Sequence, residues 1–199
     1  MADHIHGPLY YERVGRTGHV MLFIHPNPMD QSSWAYQLAH LSTWYRCIAV
    51  DLPGYGRSPV ADAGLTLSDM AQASWEALDD VFDREPAIIV GCSTGARIAI
   101  EMYHQRPSRT LALILSGTGF IPNGNSAWAD RVATRIAQYR ELGAAYRWQY
   151  TLEDFSPEFR TTPLAQFFAQ LFSERNEHAD VDSIIRQFEA ISQPLDDGF

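Results

Sequence analysis

At 199 residues, with 46% hydrophobic and 20% charged positions, the chain has material for one well-formed core and little for a second. Its net charge is −9, and its fifteen basic residues are all arginines with no cluster among them, which argues against nucleic acid as a partner. No apolar stretch approaches membrane-spanning length and the start, Met1-Ala2-Asp3-His4, has no basic segment leading into an apolar one, so a cytoplasmic protein with no membrane partner is expected.

Residues 7–14 read as an early strand, and Gly15-Arg16-Thr17-Gly18 as the turn after it. Val20 to Ile24 is a continuous apolar run of buried-strand type, closed by the proline-locked loop His25-Pro26-Asn27-Pro28-Met29-Asp30. A helix is predicted to open at Ser32 or Ser33, both good N-caps, with Trp34, Leu38 and Leu41 on one face. Cys47 to Val50 is the next strand and stops at Asp51-Leu52-Pro53-Gly54-Tyr55-Gly56-Arg57-Ser58. A helix over 68–82 leads to a strand at Ala87 to Val90, and a helix from Ser93 to Gln105 is stopped by Pro107. Leu111 to Leu115 is a further apolar strand, closing at Ser116-Gly117-Thr118-Gly119. Strands alternating with helices predict an α/β fold, a mostly parallel sheet flanked by helices, with ligands gathering at the carboxyl ends of the strands.

The pattern changes at Phe120. Helices are predicted over 126–142, 163–175 and around Val181 to Ile191, with an ambiguous aromatic stretch from Tyr146 to Phe155. Residues 1–119 are therefore read as a sheet domain and 120–199 as a helical cap over its rim. Phe120 and Trp128, just past the last strand, are the expected walls of a substrate pocket.

Between a buried strand and a helix stands Gly91-Cys92-Ser93-Thr94-Gly95, a Gly-x-Ser-x-Gly turn. A serine there sits on strained backbone with its hydroxyl lifted above the sheet, and the following helix turns its free N–H groups towards a developing oxyanion. Cys47 and Cys92 read as reduced core thiols. Cysteine and histidine spacing shows no metal pattern, and no glycine-rich turn has phosphate-binding spacing, so neither metal nor other cofactor is expected.

Taken together, the His25–Asp30 run with Trp34, the Asp51–Ser58 run and Gly91–Gly95 make the chain resemble the α/β-hydrolase superfamily, cap-bearing serine hydrolases in particular. The resemblance covers about residues 8–120, and the Asn-Pro-Met-Asp-x-x-x-Trp run is most similar to enol-lactone and C–C bond hydrolases. It implies Ser93 as nucleophile, with the backbone N–H groups of Asn27 and Thr94 as the oxyanion hole. Pro26 stands where glycine is usual, and it removes only its own N–H. His25 is implied to order its loop rather than to act as base. Dehalogenases and epoxide hydrolases of this superfamily use a carboxylate nucleophile, whereas serine suits acyl transfer on a small ester, lactone or β-diketone-like substrate. The family's chain order is Ser, then Asp or Glu, then His, the last two on strands beyond the cap. This sequence shows no such strands before Phe199, so it reads as truncated before the seventh strand, with acid and histidine expected outside it. Leu111–Leu115 would then be an apolar edge strand, open to a homo-oligomer or to strand exchange. The alternative is a ligand-binding or assembly subunit that keeps the fold without hydrolysis.

Overall fold

The computed structural model describes residues 4–117 and 126–192. Five strands form one sheet in the order β1-β3-β2-β4-β5, comprising β1 (Tyr11–Val14), β2 (Val20–Ile24), β3 (Arg46–Val50), β4 (Ala87–Cys92) and β5 (Thr110–Ser116). Only β1 runs antiparallel to its neighbour; the other pairings are parallel. Ile24 lies beside both Val50 and Gly91, so the loops leaving β2, β3 and β4 emerge together on one rim.

The apolar runs follow from what covers them. All five residues of β2 are buried, because helices pack on both of its faces. On one side Leu22, Ile24, Ile48 and Ile89 meet α2 (Leu67–Phe82) and α3 (Thr94–Gln105). On the other, Met21, Phe23, Ala49 and Val90 meet Leu38 of α1 (Ala35–Leu41), with Trp34 packed alongside. Alternation along each strand thus feeds two cores. Helix α2 opens on a capping box between Thr66 and Asp69, and Trp75 Nε1 donates to the Met102 carbonyl at 3.1 Å, tying α2 to α3.

One local reading changes, the helix cap, and one stands, the edge strand. The helix after β2 is not capped by Ser32 or Ser33: a short 3-10 turn, Gln31–Trp34, precedes α1, and its cap is Asp30, whose carboxylate accepts from the Ser32 amide at 2.9 Å and from the Ser32 hydroxyl. A carboxylate accepts more strongly than a hydroxyl, so the acidic residue takes the position. Strand β5, apolar enough to be an interior strand, is a sheet edge, with Leu111 and Ile114 about half exposed.

Beyond β5 come α4 (Ser126–Leu142), a 3-10 stretch at Ala144–Asp154, a short 3-10 turn at Phe159–Thr161, α5 (Pro163–Asn176) and α6 (Val181–Ser192). The ambiguous aromatic stretch is the 3-10 segment, whose Tyr146 ring meets Tyr139 of α4 edge-on, their centroids 4.9 Å apart. Ile184, Ile185 and Ile191 of α6 are buried with the larger core. No described helix is long and apolar enough to cross a membrane.

Candidate active site

Ser93 joins β4 to α3 with φ +52° and ψ −112°, a conformation that costs an L-residue about 1–3 kcal/mol. The packing around it fixes that geometry. A Cβ on Gly91 would collide with the Gly95 carbonyl oxygen, and one on Gly95 with the Ile24 carbonyl oxygen, so strand, turn and helix can approach only through glycine. The Ser93 amide donates to the Ser116 carbonyl at 2.8 Å, which anchors the turn to β5. Ser93 is exposed while the next residue, Thr94, is buried. The backbone N–H groups of Asn27 and Thr94 find no acceptor among the described residues, and the Asn27 side-chain amide is buried with neither atom partnered. Three unfilled donors therefore belong to two neighbouring turns on the rim.

His25 is fully buried, and both ring nitrogens are committed. Nδ1 donates to the Pro26 carbonyl at 3.0 Å, and Nε2 accepts from the Leu52 amide at 2.8 Å, which fixes the tautomer as neutral with the proton on Nδ1. Burial lowers its pKa to about 4, against the pull of the Pro26 carbonyl and of Asp30. The imidazole is a clasp between the loops after β2 and β3, and no nitrogen is left to take a proton from Ser93. Among the described residues, no histidine makes a hydrogen bond with the Ser93 hydroxyl: His6 pairs with Asp62 at 2.9 Å, His40 packs edge-on against Trp44, and His178 lies beside Glu177 on the surface.

Two carboxylates order the rim from beneath. Asp51 accepts from the amides of Gln31 at 2.8 Å and Arg57 at 2.9 Å, and burial lifts its pKa to about 6 even so. Asp30, also fully buried, receives Nε of Arg175 from α5 at 2.6 Å. Neither Asp30 nor Arg175 stood out in the sequence as a pair, since 145 residues separate them.

A cavity of about 340 Å³ opens between the loop after β2 and the helical segment. Cys92, next to the serine, forms part of its floor, Trp34 one wall, and Phe159, Phe168 and Phe172 the opposite wall. Of the two expected wall residues, the structure places one. Phe120 falls outside the described residues, and Trp128 on α4 borders a separate cavity of about 470 Å³ with Arg131, Arg135 and Phe188. A signal for the observed wall was present, because Phe168 and Phe172 stand four apart on a helix and stack at 5.6 Å. Both cysteines carry free thiols, and burial raises the Cys92 pKa. Among the described residues no group of acidic, histidine and cysteine side chains could hold a metal ion.

A sequence model of the alpha/beta hydrolase family matches residues 21–195. The chain belongs to the alpha/beta hydrolase family. This hydrolase-family chain is 35% identical over 121 residues to the dihydrolipoyllysine-residue acetyltransferase component of an acetoin cleaving system from Cupriavidus necator, covering 60% of this chain and 32% of that protein. It is 32% identical over 103 residues to a haloalkane dehalogenase from Mesorhizobium japonicum, covering 52% of this chain and 33% of that one. The chain thus spans about a third of the length of these curated relatives. The crystal structure of the enol-lactonase from Burkholderia xenovorans LB400 superposes with a TM-score of 0.77 at 19% identity, over 96% of this chain and 72% of that one, a likeness of fold.

Proposed function

We propose that this alpha/beta hydrolase chain carries the nucleophile half of a cytoplasmic serine hydrolase acting on a small ester, lactone or β-diketone-like C–C bond. The observation that carries this reading is the backbone of Ser93, held at φ +52° between two glycines that admit no side chain. In this mechanism Ser93 Oγ attacks the substrate carbonyl carbon while its proton passes to a base. The carbonyl oxygen becomes an oxyanion that accepts from the N–H groups of Asn27 and Thr94. Collapse expels the alcohol or carbanion, which takes up the proton, and water then attacks the acyl-Ser93 ester. The base and its orienting carboxylate belong, in this reading, to residues outside this sequence. Residues 120–199 act as the cap that closes over the substrate.

One observation favours a second reading, a ligand-binding or assembly subunit: no described histidine makes a hydrogen bond with Ser93. A fluorophosphonate probe and a short-chain aryl ester, applied to this chain and to Ser93→Ala, separate the two. With the base outside the sequence in this reading, slow Ser93-dependent labelling and weak ester turnover, supported by the oxyanion donors alone, are expected, and ligand binding with no labelling overturns the hydrolytic reading. We propose in addition that the apolar β5 edge pairs with a second copy of the chain. Light scattering should then show a dimer that Ile114→Lys reduces to monomer.

A further inference from the structure

A third cavity, of about 470 Å³, lies at the end of the sheet away from Ser93. Its lining is Arg13 and Val14 of β1, Gly15 and Arg16 of the turn that follows, Arg46 at the start of β3 and Phe82 at the end of α2. Val14 pairs with Cys47, whereas the rim loops leave the sheet at Ile24, Val50 and Gly91. The run from Cys47 to Val50 thus sets the two ends about 10 Å apart.

Three guanidinium groups and no carboxylate line this space, in a chain whose net charge is −9. One of them is matched. Arg46 gives its Nη groups to Glu85 at 2.8 and 2.7 Å and its Nε to the Gly18 carbonyl at 2.9 Å. The carbonyl end of α2, beside Phe82, adds about half a negative charge. Asp83 and Arg84 just beyond it are exposed and of opposite sign, and Asp80 accepts from the Tyr11 hydroxyl without lining the space. The Arg13 and Arg16 side chains make no ion pair or hydrogen bond among the described residues, so the excess of positive charge stays on them. Their backbone is clamped. Gly15 and Gly18, at φ +88° and +82°, bring the turn so close to the Tyr45 and Trp44 carbonyls that a Cβ on either would overlap them.

We propose that this cavity binds a phosphate monoester with a small apolar substituent, its oxygens on Arg13 and Arg16 and the substituent beside Phe82. A phosphate monoester carries close to two negative charges at neutral pH and three terminal oxygens, enough to engage two guanidinium groups from different elements. A carboxylate has one charge, which a single guanidinium fork satisfies. The site stands apart from the reading of Ser93, with which it shares no residue.

The test is calorimetric titration of the chain, at low ionic strength, with phenyl phosphate, inorganic phosphate and benzoate. Phenyl phosphate should bind tightest, and benzoate about tenfold more weakly. Arg13→Gln and Arg16→Gln, both at exposed side chains, should each weaken phenyl phosphate up to about fivefold, and added salt should weaken it further. Arg84→Gln removes the same charge outside the cavity and should change the affinity less than about twofold. Phenyl phosphate bound no better than inorganic phosphate or benzoate, or unaffected by both cavity variants, would overturn the site. An equal loss in Arg84→Gln would overturn it too, since the anion would then be answering net charge alone.

Discussion

Helices α5 and α6 flank the same rim, yet they are attached to it by different means. Helix α6 sinks Ile184, Ile185 and Ile191 into the larger core and adds a row of polar ties. The Ser183 hydroxyl accepts from the Ala61 amide at 3.0 Å, Gln187 donates to the Pro53 carbonyl at 2.5 Å, and Arg186 donates to the Ala61 carbonyl. Helix α5 buries Ala165 and Phe172 but leaves Phe167 more than half exposed, and it reaches the sheet domain through Arg175 on Asp30 and Phe168 edge-on to Tyr36. The helix with many ties lies over the loop after β3, and the helix with few borders the cavity. Local stability varies with such attachments, so opening at the cavity is expected to begin at α5.

The strongest challenge to α6 is Gly54→Ala. Gly54 has φ +79°, and an added Cβ would strike the Ser183 side chain, so the loss should exceed about 3 kcal/mol in thermal or urea unfolding. The joint between the two helices' docking loops is His25, and pH tests it. Its imidazole titrates at about 4 in the folded chain against 6.5 when unperturbed. The unfolded chain therefore takes the proton first, and the stability that neutral His25 contributes is complete above pH 6.5 and is lost as pH falls towards 4. The stability gap between the wild type and His25→Gln should widen by up to about 3 kcal/mol as pH rises across that window. Asp51 has the opposite sign: its raised pKa favours the folded state at low pH and that advantage fades as pH rises to about 6, flattening the wild-type profile.

Arg175→Met strands the Asp30 carboxylate and should cost about 2 kcal/mol, a value reduced because the arginine is partly exposed. Hydrogen exchange should quicken in α5 and stay unchanged in α6; equal quickening would erase the distinction between them. The mildest test is Ser183→Ala, which leaves the Ala61 amide without its acceptor and should cost about 1 kcal/mol.

The sheet was legible because its signal is local. Four apolar runs mark β2 to β5, while the mixed Tyr11–Val14 strand shows mainly through the Gly15–Gly18 turn after it, and the run at Val20–Ile24 is unbroken because both of its faces are covered. The turn at Ser93 was legible for a similar reason, since two glycines four apart leave few other structures. What escaped depended on distance in space. Asp30 and Arg175 meet only once the helical segment folds back, and neither carries a mark in the sequence. Helical spacing identifies an apolar face without stating which surface it meets, so nothing in the sequence singled out Phe159, Phe168 and Phe172 as lining the cavity beside Cys92, or showed that Trp128 borders a different cavity. The cap at Asp30 was missed because three acceptable cap residues lie within four positions.

The left-handed backbone at position 93 sets stability against the reactivity proposed for that serine. Any L-amino acid there bears the same torsional penalty, so the fold itself gains nothing from serine. Ser93→Gly should relax the turn and melt at a higher temperature than Ser93→Ala, although both lack the hydroxyl. A site that becomes sturdier when its side chain is erased has been kept for its chemistry rather than for its architecture.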